Sequence, residues 1–165
     1  MDSTASQIEH LYDLLREFST TMFITRTDDG GLLVRPMAVA ELGRNGYVYL
    51  VTSVGSKKVW ETGANESVTL VFQNPRQFAS LSGRATVVRD QELVDRLWSE
   101  AWKVWFPNGR TDPDICMIEI KPATGEYWDN AGTQGLKFAF EAAKAYVTGT
   151  TPTVAEGPQH GRVDL

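Results

Sequence analysis

Two adjacent lysines that follow a strand and a tight turn are the residues whose types and spacing most suggest chemistry. A strand expected over residues 47–52 leads through Gly55 and Ser56 into a short helix expected over residues 57–62. The start of a helix offers unpaired backbone N–H groups and a partial positive charge, so it favours anions and disfavours cations. Lys57 and Lys58 at this position, beside a serine hydroxyl, predict a phosphate-type anion site. The short motif is equally compatible with two solvated lysines.

The composition narrows the class of protein. A length of 165 residues suits one domain with its own core, and 42% hydrophobic with 22% charged residues is ordinary for a globular protein. The net charge of -5 and the pI near 5.0 argue against nucleic acid as a partner, because nucleic-acid-binding domains are usually basic. Any anion site must therefore be a local pocket.

The cysteine and histidine content and the N-terminal sequence argue against a disulfide-bonded, a zinc-binding or a membrane protein. Cys116 is the one cysteine, so no internal disulfide is possible, and its apolar surroundings predict a buried thiol. His10 and His160 lack neighbours at zinc-ligand spacing, so we expect no metal site. No signal-peptide pattern and no apolar run of membrane-spanning length is present, so we expect no membrane association and a cytoplasmic location.

Hydrophobic periodicity predicts a first helix followed by a set of short strands. Ser6 and Glu9 form a capping-box pattern before an amphipathic stretch. Gly83 lies inside a strand pattern and predicts a bulge or a close backbone approach. Strands are expected at residues 22–26, 32–40, 47–52, 67–73, 78–89 and 115–120, with a continuation at 126–128 and turns at 28–31 and 45–46.

Two further helices and a tail complete the organisation. Asp90 is expected to cap a tryptophan-rich helix that runs to Pro107, and a last helix is expected over residues 136–147. Residues 148–165 lack periodicity, so we expect a disordered tail or an arm on a partner. The prediction is a single α+β domain over residues 1–147, a β-barrel of mostly antiparallel strands with peripheral helices. The predicted stripe of the tryptophan-rich helix is Val94, Leu97, Trp98, Ala101 and Trp105, with Trp102 beside it.

The sequence lacks the best-known nucleotide and hydrolase motifs. It contains no Gly-x-Gly-x-x-Gly after a strand, no P-loop and no Gly-x-Ser-x-Gly elbow. A small barrel with an anion-binding turn remains.

Four short motifs, taken in order, resemble those of the pyridoxamine 5'-phosphate oxidase superfamily of FMN-binding split barrels. They are Arg35-Pro36-Met37, Val51-Thr52-Ser53 with Ser56-Lys57-Lys58, Leu81-Ser82-Gly83-Arg84-Ala85 and Glu126-Tyr127-Trp128-Asp129. The general stress protein group is the most similar part of that superfamily. Trp105-Phe106-Pro107, residues 143–149 and the last five residues also resemble that group.

The resemblance implies a split β-barrel that binds FMN at the interface of a homodimer, each site being built from both subunits. It also implies two sets of FMN contacts and a tryptophan from the other subunit. The phosphate set is Arg35, Lys57 and Lys58, with Ser56 nearby. The isoalloxazine set is Pro36, Met37, Val51, Thr52 and Ser53. The tryptophan is Trp128.

Departures from the family pattern argue against oxidation of pyridoxamine phosphate. Ala40 stands where the oxidases have a lysine that touches flavin and substrate, and Gln134 and Leu136 replace an arginine and a histidine that grip the substrate. Phe78 stands where a glutamine usually neighbours the flavin. Three polar substrate anchors are therefore missing, whereas the phosphate set is retained.

The resulting expectation is an FMN-binding general stress protein that acts as a flavin-dependent oxidoreductase or reductase of unknown substrate. No side chain is an evident acid or base for that reaction. The alternative is a flavin-binding stress or redox-partner protein without turnover. Binding of the deazaflavin F420 or haem instead of FMN, and a barrel without any cofactor, stay open.

Overall fold

The computed structural model describes residues 4–149 and 160–165, with the side chains of residues 132–138 and 141 left aside. These residues form one antiparallel sheet and four α-helices. The helices are α1 (Thr4–Leu15), α2 (Lys57–Ala64), α3 (Gln91–Leu97) and α4 (Gly132–Thr148). The strands are β1 (Thr20–Arg26), β2 (Leu32–Leu42), β3 (Val48–Ser53), β4 (Ser67–Gln73), β5 (Gln77–Val88), β6 (Ile115–Asp129) and β7 (His160–Asp164).

Six of the strands close into a barrel. The sheet order is β3-β2-β1-β4-β5-β6-β7, and β3 pairs a second time with β6. Strand β6 allows this closure because it is long: its first part, Ile115–Ile120, pairs with β3, and its second part, Thr124–Trp128, pairs with β7. The predicted α+β split barrel of antiparallel strands is confirmed.

The barrel interior follows from the alternation of side chains along the strands. In β1 and β4 every second residue is buried, as a period of two requires for a sheet with one inner face. Phe23, Leu70 and Leu81 are fully buried there, and α1 packs Leu11 and Leu14 against them. This interior supplies most of the hydrophobic stabilisation of the fold.

Gly83 marks a bulge, as the sequence predicts. The register of β5 against β6 shifts between Ser82 and Gly83. A Cβ atom at Gly83 would lie 2.1 Å from the carbonyl oxygen of Lys121. Only glycine permits the two backbones to approach this closely.

A second hydrophobic cluster lies outside the barrel, where the tryptophan-rich segment packs on β3 and β6. It contains Val51, Val94, Trp102, Phe106 and Met117. The prediction of one helix from Asp90 to Pro107 is wrong: Asp90 caps α3, but α3 ends at Leu97, and a separate 3-10 helix follows over Glu100–Val104. The break turns Trp102 into the cluster and leaves Trp105 62% exposed, so the predicted stripe forms over Val94, Leu97 and Trp98 but not beyond them.

Two expectations for the chain ends also differ from the structure. Helix α1 begins before Ser6, so Ser6 is not its N-cap. The last residues were expected to lack regular structure, yet His160–Asp164 form β7, which extends the sheet beyond β6 of the same chain. Residues 150–159, in the middle of the expected tail, lie outside the described residues.

The described helices include none that is both long and apolar enough to cross a membrane. Within residues 4–149 and 160–165, no group of three or more His, Cys, Asp or Glu side chains is arranged to hold a metal ion.

Candidate functional site

A cavity of about 630 Å³ opens between β2, the end of β3 and the segment after the 3-10 helix. Its size is in the range of small-molecule and cofactor sites. Its lining is mixed, with seven apolar residues, two hydroxyl residues and two charged residues, Lys58 and Asp114. The lining residues are Pro36, Met37, Ala38, Val51, Thr52, Ser53, Lys58, Val104, Trp105, Phe106 and Asp114.

Most of the residues predicted to contact a cofactor line this one cavity. They are Pro36, Met37, Val51, Thr52, Ser53 and Lys58. Strands β2 and β3 are neighbours in the sheet, which brings the two motifs together although they are separated along the chain. Sequence reasoning missed Ala38, Val104 and Asp114, and it gave Trp105 and Phe106 no contact role. Asp114 follows a 3-10 turn, and its Oδ2 accepts a hydrogen bond of 2.5 Å from Ser53 Oγ.

The turn between β3 and α2 has the form expected of an anion site. Ser56 is the N-cap of α2, with an extended backbone and no side-chain capping bond, and its Oγ lies 3.3 Å from Thr52 Oγ1. Lys57 and Lys58 are the first two residues of the helix, whose N–H groups have no acceptor within the helix. These donors and the two ammonium groups belong to one short stretch of chain.

The two lysines differ in environment. Lys57 is exposed and is absent from the cavity lining, whereas Lys58 is half-buried and lines it. Burial lowers the pKa of Lys58 below its usual value, and the nearby positive charge of Arg35 lowers it further. An anion in the cavity would oppose both effects, because it would favour the charged form of the lysine.

Arg35 lies on the barrel side of α2 and is not among the residues that line the cavity. Its Nη2 donates to Glu61 Oε2 and, over 2.5 Å, to Thr25 Oγ1, and its guanidinium carbon lies 6.0 Å from the centre of the Phe23 ring. Thr25 Oγ1 also donates to Glu61 Oε2, over 2.7 Å. Arg35 is therefore held by an ion pair with Glu61 of α2. It is also close enough to Lys58 for its positive charge to lower the pKa of that lysine.

Glu61 is a residue of this network that sequence reasoning missed. It stands three residues after Lys58 in a short helix, the spacing at which a glutamate usually forms a solvated surface pair. The structure buries it instead, with 5% of its surface exposed. The sequence carries no signal for this, because the partners Thr25 and Arg35 come from a hairpin distant along the chain.

Trp128 lies away from the cavity, on the outer face of β6 near its end. It is 37% exposed, and the imidazole of His160 stacks on its indole at a centroid distance of 5.0 Å. His160 also contacts Glu126 Oε1 over 3.0 Å. Trp128 therefore does not join the cavity residues within one chain, and its predicted contact with a cofactor of the other subunit stays a prediction.

The positions that depart from the oxidase pattern are also placed by the fold. Ala40 packs against the outer hydrophobic cluster, and Phe78 is opposite Trp128 in the β5–β6 ladder with 40% of its surface exposed. Gln134 and Leu136 lie in α4, where their side chains are outside the described residues.

Comparison with known proteins identifies the family. The family model described as pyridoxamine 5'-phosphate oxidase like matches residues 6–153, which is most of the chain. The chain belongs to the pyridoxamine 5'-phosphate oxidase-like family. The resemblance drawn from the four motifs is thereby confirmed.

Three relatives illustrate this membership. Protein bli-3 of Neurospora crassa is 29% identical over 160 residues, which cover 90% of this chain and 76% of that protein. A candidate general stress protein 26 of Jannaschia sp. CCS1 is 26% identical, with a TM-score of 0.76 and coverage of 98% of this chain and 99% of the other. The general stress FMN/FAD binding protein of Xanthomonas citri is also 26% identical, with a TM-score of 0.64 and coverage of 75% and 89%. Within the pyridoxamine 5'-phosphate oxidase-like family, this chain is thus similar to general stress proteins, as the motifs predicted.

Proposed function

We propose that this chain binds FMN, with the phosphate at the turn between β3 and α2 and the ring system in the adjoining cavity, and that it acts as a flavin-dependent oxidoreductase or reductase. The observation that carries the proposal is the cavity of about 630 Å³, which joins the two strand motifs to Lys58. Similarity to a general stress FMN/FAD binding protein supports a flavin. The proposed phosphate contacts would favour FMN over riboflavin, because riboflavin lacks the phosphate.

The chemistry of the donors fits this cofactor. A phosphate carries up to two negative charges and accepts several hydrogen bonds, and Lys57, Lys58 and the N–H groups at the start of α2 offer matching partners. A planar ring suits the apolar part of the lining, which includes Pro36, Ala38, Val104 and Trp105. The polar and apolar parts of the site therefore match the two ends of FMN.

Bound FMN would supply the redox chemistry, and the protein would supply binding, orientation and electrostatics. The described cavity lining contains two charged side chains, Lys58 and Asp114. Lys58 is assigned to the phosphate. Asp114 already accepts a hydrogen bond from Ser53 and helps to fix the cavity wall.

A second candidate function is flavin binding without turnover, as a stress or redox-partner protein. It is favoured by Ala40, which packs into a hydrophobic cluster at a position where the related oxidases have a lysine. Oxidation of NADH or NADPH, measured with several electron acceptors, separates the two functions. Turnover that depends on bound FMN supports the oxidoreductase, and its absence with every donor and acceptor supports the second candidate.

The proposal includes a homodimer in which Trp128 reaches the cofactor of the other subunit. It is supported by an outer barrel face with exposed apolar side chains: Leu32 is 59% exposed and Val34 53%. The register places Val34 beside Ile24, and the same face continues across β4 and β5 to Phe78 and Trp128. Thr69, Ser80 and Ser82 lie between them on this face, so the exposed apolar side chains form separate patches. Exposed apolar patches of this kind mark sites of contact with another chain.

The experiment that tests cofactor binding is a visible absorption spectrum of the purified protein, before and after addition of FMN. We expect flavin bands in the wild type. Lys57→Ala with Lys58→Ala should weaken FMN binding at least about tenfold, since it removes charge-assisted hydrogen bonds. Lys121→Ala with Lys144→Ala is the control, because it removes two exposed lysines elsewhere. A wild type that binds no FMN would refute the proposal and direct the search to F420 or haem.

The dimer is tested by Val34→Glu. This substitution should shift the protein from dimer to monomer in sedimentation experiments, because it places a charge among exposed apolar side chains.

The shared site is tested by mixing two variants that are each expected to bind FMN weakly. If sites are built from both subunits, the Lys57/Lys58 double variant and Trp128→Ala should each bind FMN weakly alone, whereas their mixed dimers contain one intact site. No recovery of tight binding after mixing and refolding would contradict the shared site.

A further inference from the structure

Glu61 is a buried carboxylate that the proposed FMN contacts do not use. It lies in the middle of α2 with 5% of its surface exposed, at the seam where α2 packs on β1. Its Oε2 accepts hydrogen bonds from Thr25 Oγ1 and Arg35 Nη2. These side-chain bonds connect the helix that begins with Lys57 and Lys58 to strands β1 and β2.

This network is poorly explained by stability alone. Within the described residues, Glu61 Oε1 and Arg35 Nε are buried and lack hydrogen-bond partners. Burying a charged pair costs desolvation, and an incompletely bonded pair recovers little of it, so an apolar contact here could be as stable. A buried ion pair at the seam between a helix and a barrel therefore points to a need for a fixed geometry.

The geometry suits the control of a phosphate site. Lys57 and Lys58 lie at the start of α2, and Arg35 pairs with Glu61 in the middle of this helix. These residues carry three positive charges, and the Glu61 carboxylate reduces the sum to two. That sum matches a phosphate dianion. Glu61 also restrains the guanidinium of Arg35, which would otherwise be free to turn towards solvent, since 22% of its side chain is exposed.

We propose that Glu61 is a positioning residue of the phosphate site, which acts by holding Arg35 in place and by fixing the start of α2 relative to the barrel. The inference rests on the proposed FMN binding. It predicts that Glu61 supports the phosphate contact, although a carboxylate near a phosphate would by charge alone weaken it. If Glu61 positions the phosphate contacts, removing its charge should weaken FMN binding. If it only repels the phosphate, removing its charge should tighten FMN binding.

The test compares FMN with riboflavin, which lacks the phosphate. Glu61→Gln should weaken FMN binding by about tenfold to a hundredfold, the loss expected when a charged hydrogen-bonded partner is removed, and leave riboflavin binding within about twofold. Glu66→Gln is the matched control, because Glu66 is an exposed carboxylate just after α2 that pairs with Arg84 at the surface. It should change neither affinity.

A double-mutant cycle tests whether Glu61 acts through Arg35. In an Arg35→Gln background, Glu61→Gln should cause little further loss of FMN affinity, because the residue that it positions is absent. Thr25→Val provides a second, milder variant if Glu61→Gln does not fold. It removes one hydroxyl of the network and should lower FMN affinity in the same direction.

Several results would overturn the inference. Tighter FMN binding by Glu61→Gln would make Glu61 a competitor of the phosphate, and equal losses for FMN and riboflavin would make its role purely structural. An unchanged FMN affinity, or full additivity with Arg35→Gln, would also refute it. A wild type that binds neither flavin would refute the proposed function and the inference with it. A wild type that binds FMN, with variants that behave as in the preceding sentences, would refute the role of Glu61 alone.

Discussion

The imidazole of His160 stacks on the indole of Trp128, with ring centroids 5.0 Å apart and an angle of 18° between the ring planes. The two residues are directly opposite each other in the β6–β7 ladder. The stack therefore links the last strand of the chain to the end of β6. It also fixes the orientation of the tryptophan that is proposed to contact FMN in the other subunit.

Loss of this stack should destabilise the fold modestly. We expect His160→Ala to lower the free energy of unfolding by about 1 kcal/mol, the usual contribution of an aromatic pair beyond its buried area. His160→Phe keeps an aromatic ring, so it should be less destabilising than His160→Ala. It loses the contact between His160 and Glu126, but that contact is partly exposed to solvent and contributes little to stability. Urea unfolding of the three proteins measures the difference. Equal destabilisation by both substitutions would show that the stack itself is unimportant.

The close approach at Gly83 predicts a larger effect. A methyl group there would lie 2.1 Å from the carbonyl oxygen of Lys121, so Gly83→Ala must displace the backbone of β6. We expect a loss of about 3 kcal/mol in the free energy of unfolding, the cost of an overpacked site. Thermal unfolding provides the measurement.

Gly63 offers a control for this substitution. It lies within α2, and a Cβ atom there would have no neighbour within 4 Å. Gly63→Ala should therefore leave stability unchanged or raise it by up to about 1 kcal/mol, because alanine favours the helix. Comparable losses at both positions would mean that the bulge geometry is not what requires glycine at position 83.

Cys116 predicts a pH dependence of stability. Its side chain is fully buried, and burial raises the pKa of its thiol from 9.0 to about 11. The unfolded chain therefore loses this proton at a lower pH than the folded chain, so the contribution to stability is complete below pH 9.0 and is lost as the pH rises towards 11. The loss approaches about 3 kcal/mol above pH 11, since the two pKa values differ by about two units and each unit corresponds to about 1.4 kcal/mol.

Cys116→Ala isolates this effect. Its stability should fall less steeply than that of the wild type between pH 9 and 11. Tyr12 and Tyr49, whose pKa values are raised chiefly by burial, contribute equally to both proteins. Denaturant unfolding at a series of pH values measures the two slopes. Parallel slopes would contradict the prediction.

Trp105 should contribute to flavin binding. It lines the cavity and is 62% exposed in the free protein, so a bound ring system would cover apolar surface that is now in water. We expect Trp105→Ala to weaken FMN and riboflavin alike by about tenfold, since the contact is with the ring and not with the phosphate. Trp60→Ala, which removes a 74% exposed tryptophan outside the cavity lining, is the control. Equal effects at both positions would argue against a cavity contact.

Much of the fold could be predicted because its signals are local. The alternation of β1 and β4, the Asp90 cap and the glycine at position 83 each concern residues within a few positions of one another. The break after Leu97 could not be predicted in this way. The helical pattern continues through the tryptophans, but the outer face of the barrel binds Trp102 and excludes Trp105.

The candidate site divides along the same line. The types and spacing of residues near Lys57 and Lys58 determined the strand, turn and helix start that carry the proposed anion site, because these elements are close in sequence. Only the tertiary structure decided that Glu61 is buried against Arg35 and Thr25, that Asp114 joins the cavity, and that β7 returns to β6. These contacts join segments that are distant along the chain, and their energies depend on burial, which emerges only when the barrel closes.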